Sequence, residues 1–128
     1  MERLVLVGLG GMLGTVLRYV VGGLVARAKA GATFPIETLV VNVAGCLAIG
    51  FLAGLAETRG LFTGATRSFL FIGILGGFTT FSTFGYETFQ LLRDGQIGAG
   101  LSSVALQVVL GLGAVWAGDL VARLVGGA

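Results

Sequence analysis

The sequence predicts an all-α membrane protein of four transmembrane helices, and three observations carry that prediction. Only 11% of the 128 residues are charged and 55% are apolar, whereas water-facing domains carry roughly a quarter charged residues. The charges divide the chain into four apolar runs, each near the roughly 20 residues that a helix needs to cross a bilayer. Glycine supplies 24 residues, and small side chains let helices approach closely in lipid.

The first span is expected over Leu4 to Ala26, interrupted only by Arg18. It could mimic a signal peptide, but no soluble domain follows it, so it reads as a retained span. The second is expected over Thr38 to Ala56, between Glu37 and Glu57. The third runs from Ser68 to Leu92, between Arg67 and Arg93, and the fourth from Gly95 to Gly118, ahead of Asp119. The connections AKAGATFPIE, ETRGLFTGATR and RDGQ are short, and neither linker nor internal repeat is visible. Residues 1–128 form one four-helix domain.

Composition removes whole classes of chemistry. There is no histidine, so a histidine-ligated metal and a Ser-His-Asp triad are excluded. Cys46 is alone and reads as a small apolar filler. No glycine-lysine phosphate loop is present, and no nucleophile–base set marks an enzyme. Basic residues are scattered singly, unlike a nucleic-acid patch.

With four spans, both termini and the 57–67 loop share one side, which collects Arg3, Arg59, Arg67 and Arg123. The other side collects Arg27, Lys29 and Arg93. The positive-inside rule reads Lys/Arg bias, and four against three is almost none. Either another feature fixes one orientation, or the protein inserts both ways and pairs as an antiparallel dimer. Four short helices can scarcely pack on one another and enclose a polar path as well, which favours an oligomer. The pairs Gly10/Gly14, Gly50/Gly54 and Gly73/Gly77 each place small residues on one helix face, suited to helix–helix contact.

Ionisable and amide groups inside spans are functional candidates. Arg18 is either a snorkelling arginine or a fixed positive charge at a vestibule. Glu87 lies deep enough in the third span to need a hydrogen bond or ion pair. Asn42, in TLVVNVAG, is either interhelical glue or an anion-facing donor. Ser103 and Gln107 share a face of the fourth span, with helix glue the default reading. Asp119 and Arg123, four apart, read as an interfacial pair.

The stretch GGFTTFSTFGYE, from Gly76 to Glu87, is the densest polar feature. Its first nine residues hold two glycines, four hydroxyl residues and three phenylalanines. On a helix, Phe78, Phe81 and Phe84 form one stripe, Thr80, Thr83 and Glu87 another, and Thr79 and Ser82 a third. Paired glycine followed by paired threonine is poor helix material, so a break is expected here. At bilayer depth a break survives only inside protein or beside a cavity, and it frees main-chain carbonyls that can hold small cations. Hydroxyls, amide N–H groups and the electropositive edges of phenyl rings could replace water around a crossing anion. The competing reading places the rings against lipid and assigns the glycines to packing.

GxxLRY (Gly14 to Tyr19), TLVVNxxG (Thr38 to Gly45) and GGFTTFSTFGYE occur in that order on four spans. The whole chain thereby resembles the Fluc (CrcB) family of fluoride channels, the third motif being the most specific. The resemblance implies a passive, fluoride-selective pore that exports cytoplasmic fluoride. It implies an antiparallel, dual-topology homodimer in the cell membrane, with two pores. It also implies a central sodium ion on the main-chain carbonyls of Gly76 and Thr79 of both subunits. The pore phenylalanines map onto Phe81 and Phe84, the pore asparagine onto Asn42, and the hydroxyl track onto Ser82 and Thr83. The family's arginine and glutamate map onto Arg18 and Glu87. Ser103 and Gln107 stand where members vary. The rivals are a small dual-topology multidrug exporter, which would need a carboxylate where the first span carries Arg18, and a non-conducting assembly factor.

Overall fold

A computed structural model describes residues 1–29, 31 and 33–127; Ala30 and Ala32, in the first connection, and the C-terminal Ala128 lie outside the described residues. Among the described residues all regular structure is helical. Four helices are long and apolar enough to span a membrane: Glu2–Ala28, Ile36–Arg59, Gly64–Arg93 and Ile97–Gly126. Their bounds differ most from expectation in the fourth helix. It starts later because residues 94–96 turn the chain, with Gly95 at φ 76°, a left-handed value that glycine adopts without steric cost. It continues to Gly126 because Asp119 and Arg123, one turn apart, pair at 2.7 Å instead of ending it. A charge ends an apolar run, but it does not end a hydrogen-bonded ladder.

The third span is composite. Thr63 caps a short α-turn, Gly64–Arg67, by accepting the Thr66 N–H on its hydroxyl. Ser68–Leu75 is wound as a π-helix, the wider i→i+5 form, which nothing in SFLFIGIL signals. Gly76–Phe78 returns to α geometry. Thr79 (φ −80°, ψ 158°) and Thr80 (φ −150°, ψ 108°) are extended, a backbone that suits β-branched threonine. Phe81–Arg93 is α-helical again, with Thr80 as its N-cap.

Two tight seams organise the bundle: the second helix packs chiefly on the fourth, and the first on residues 68–78 of the third span. Both seams are built on glycine. A Cβ on Gly10 would lie 2.6 Å from the Phe69 carbonyl oxygen, and one on Gly77 at 2.6 Å from that of Gly11. Gly14 faces the Ile74 carbonyl, Gly50 that of Val115 and Gly118 that of Leu47, all too close for any side chain. The three glycine pairs expected at helix contacts thus serve contacts within one chain. Backbone-on-backbone packing of this kind holds helices together in lipid, where apolar side chains gain nothing by hiding from their solvent. The outer surface accordingly carries the large apolar residues, while among the described residues the buried hydrophobic set is Val41, Leu75, Leu91 and Ala122.

Candidate functional site

The extended pair Thr79–Thr80 is the centre from which the candidate residues are placed. A continuous helix would give the Thr80 N–H to the Gly76 carbonyl. Here it donates instead to Asn42 Oδ1 at 2.8 Å, and Asn42 Nδ2 donates back to the Thr80 carbonyl at 3.1 Å. The same Nδ2 donates to Gln107 Oε1 at 3.2 Å, so the fourth helix supports the clamp. Arg18 reaches across from the first helix, and its Nη1 donates to the Thr79 carbonyl at 3.3 Å. The bonds from Arg18 and Asn42 to the third span therefore end on two consecutive residues, Thr79 and Thr80.

Two cavities flank the interruption. The larger, about 370 Å³, is lined by Asn42, Thr79, Thr80, Phe81, Phe84 and Gln107, with Gly76 and a mostly apolar remainder that includes Phe71 and Cys46. The rings of Phe81 and Phe84 stand 5.5 Å apart at 70°, edge to face, so that the electropositive edge of one ring meets the electron-rich face of the other. The smaller, about 170 Å³, is lined by Arg18, Thr38, Thr80, Thr83, Glu87 and Glu37, with Gly22 and Val41. There Thr38 donates to Glu87 Oε1 at 2.9 Å, while the buried Glu87 Oε2 has no partner among the described residues. Beyond it Arg18 opens onto a wider space of about 540 Å³ shared with Arg27 and Glu37.

The expected residues thus divide into two sets. Asn42, Phe81, Phe84 and Gln107 share the first cavity with Gly76 and Thr79, while Arg18, Thr83 and Glu87 share the second. Ser82 is exposed and lines neither. Ser103 is buried and hydrogen-bonds Thr88 at 3.1 Å, away from both cavities. One expected stripe is corrected: Phe78 does not continue the Phe81–Phe84 face. Its ring lies against Gly45, because the two extended residues reset the helical phase between Phe78 and Phe81. Thr38, the first residue of TLVVNxxG, and Thr88 carry no functional role in the sequence pattern. Thr38 stands one turn before Asn42, which is the signal that could have marked it, but it also begins an apolar run.

Among the described residues no group of three His, Cys, Asp or Glu is positioned for a metal, which leaves main-chain, hydroxyl and amide oxygens as the ligands a hard cation could find here. The Gly76 carbonyl fits that role: the N–H it would accept has turned to Asn42, and Gly76 is exposed at the chain's surface. The Thr79 carbonyl takes one bond from Arg18 and keeps a second lone pair.

The family profile described as CrcB-like protein, Camphor Resistance (CrcB), matches residues 5–119. Three curated relatives are each called "Fluoride-specific ion channel FluC". The one from Methylobacillus flagellatus is 45% identical over 92% of this chain and 92% of its own length. That from Opitutus terrae is 50% identical over 91% of this chain and 89% of its own. That from Thermus thermophilus is 47% identical over 88% of each. The chain belongs to the CrcB family, and it is a multi-pass membrane protein.

Proposed function

We propose that this chain is a fluoride-specific ion channel and not an enzyme. The observation that carries the reading is the match to proteins of that name along nine-tenths of the chain at 45–50% identity. The geometry supplies a physical route. Phe81 and Phe84 line a cavity that also holds the amides of Asn42 and Gln107, and a phenyl ring offers an anion its electropositive edge. Fluoride, the smallest halide, is the most strongly hydrated, so ring edges alone are too weak to replace its water. Donors must help, and Gln107 Nε2, which donates no bond among the described residues, is placed to do so. Arg18, Thr83 and Glu87 form the polar approach on the other flank, with Ser82 beside them on the exposed face. Ser103 ties the fourth helix to this part of the third span through Thr88.

The physiological sense is passive export. Hydrogen fluoride enters acid-exposed cells as a neutral molecule and ionises in the less acidic cytoplasm, where the anion is trapped. A pore lets it leave down its gradient, aided by an inside-negative potential. Two copies are proposed to pair antiparallel with two pores, supported by the four-to-three distribution of basic residues on the two sides. The carbonyls of Gly76 and Thr79 from both copies would hold a sodium ion, a hard cation suited to main-chain oxygen, whose charge would pin the two interruptions together.

Liposomes bearing the purified protein should release fluoride once a potassium leak balances charge, and release chloride far more slowly. Equal efflux of both halides, or none, would sink the reading. A reporter at the C-terminus should appear on both faces of the membrane, and two added lysines in the 57–67 loop should drive it to one. An experimental structure of the assembly showing no density between the Gly76 and Thr79 carbonyls would remove the sodium.

A further inference from the structure

We propose that Asn42 acts on conduction as a positioning residue, by holding Thr79–Thr80 extended, and not as a free donor to the anion; this rests on the channel reading above. The geometry assigns the role. One side-chain amide meets both polar groups of one residue: Oδ1 accepts the Thr80 N–H at 2.8 Å, and Nδ2 donates to the Thr80 carbonyl at 3.1 Å. A neighbouring strand bonds an extended residue in the same two-point way. No strand is available inside a bundle, and the Asn42 side chain takes its place. The remaining Nδ2 proton goes to Gln107 Oε1 at 3.2 Å, so both amide donors are engaged.

Three consequences follow from the pairing. The Thr80 N–H is withdrawn from the Gly76 carbonyl, which leaves that oxygen free. The Thr79 carbonyl is turned toward the first helix, where Arg18 Nη1 meets it at 3.3 Å. The Phe81–Arg93 helix starts afresh, with Thr80 Oγ1 accepting the Thr83 N–H, in a phase that brings Phe81 and Phe84 to the cavity. Without the clamp the chain can regain a backbone bond from Thr80 N–H to Gly76. Helical continuation then rotates both rings away.

Two readouts separate clamp from ligand, and both use the full-length protein. In Asn42→Ala, the Thr80 Cα and Cβ chemical shifts should move from extended toward helical values, and fluoride efflux should fall at least tenfold. In Asn42→Asp, which keeps an oxygen for the Thr80 N–H, the shifts should stay extended. Asn42→Asp therefore serves where Asn42→Ala does not fold: helical shifts in it overturn the clamp. Extended shifts in Asn42→Ala, with efflux lost, overturn it in favour of direct contact with the anion. Wild-type efflux in Asn42→Ala overturns it as well. The shifts do not depend on transport, so a wild-type protein that passes no fluoride would refute the channel while leaving the clamp testable.

Discussion

The two halves of the third span solve opposite problems. Residues 64–78 carry almost no polar side chain inward and press glycine against glycine, so that Gly73 and Gly77 meet the backbone of Gly10 and Gly11. Residues 81–93 make far slighter contact with their neighbours and are placed by directional bonds: Thr80 to Asn42, Glu87 to Thr38, Thr88 to Ser103. The first half is held by shape, and any added atom is an obstruction. The second is held by chemistry, and changes of volume matter less than changes of donor and acceptor. Where a membrane protein must stay rigid it excludes side chains; where it must handle an ion it arranges them.

The largest effect should come from adding atoms to a seam. Gly14→Val and Gly50→Val would drive a side chain into the carbonyls of Ile74 and Val115. Overpacking a well-filled interior costs roughly 1–3 kcal/mol, occasionally more, and here the obstacle is backbone. Gel filtration should show loss of monodisperse protein, whereas Gly8→Ala and Gly113→Ala, which meet nothing within 4 Å, should behave as wild type. A folded Gly14→Val would break the contrast between the halves.

Next come Phe81→Ile and Phe84→Ile. Isoleucine keeps most of the apolar volume but has no electropositive edge. Fluoride efflux should drop tenfold or more with unchanged elution volume, and wild-type efflux from both would return the rings to a packing role. Thr38→Val should act more mildly. It removes the bond to Glu87 Oε1 and leaves a carboxylate whose other oxygen is already buried without a partner among the described residues. Efflux should fall several-fold, and thermal unfolding should show a loss of about 1 kcal/mol or somewhat more. The smallest of these effects belongs to Thr88→Val, which deprives the buried Ser103 hydroxyl of its partner. A stability loss of about 1 kcal/mol with efflux unaltered would confirm that this pair only ties helices together.

Much of this was legible in the chain. Four spans followed from runs of apolar residues between charges, because a bilayer sets length and composition directly. The spacing of Gly10/Gly14, Gly50/Gly54 and Gly73/Gly77 suited them to helix contact, since i and i+4 share a face, but it supported an oligomer as readily as the contacts within one chain that are found. The pairing of Asp119 with Arg123 followed from the same rule and is found at 2.7 Å. Other features were not legible for stated reasons. The reach of the fourth helix to Gly126 lay beyond the apolar run, where hydropathy says nothing about backbone hydrogen bonds. The Phe78–Phe81–Phe84 stripe assumed one helical phase through two residues that are extended.

Composition and local spacing by themselves therefore determined the all-helical class, the number of spans, the glycine seams and the polar stretch from Gly76 to Glu87. Those properties depend on lipid and on residues within one turn of each other. Only the tertiary structure decided which helix each seam glycine meets, that Asn42, Thr80 and Gln107 form one network, and that the candidate residues split between two cavities. Asn42, Thr80 and Gln107 are separated by 38 and 65 positions along the chain. Contacts at that range are set by how helices pack and turn about their axes, and no local period encodes the rotation.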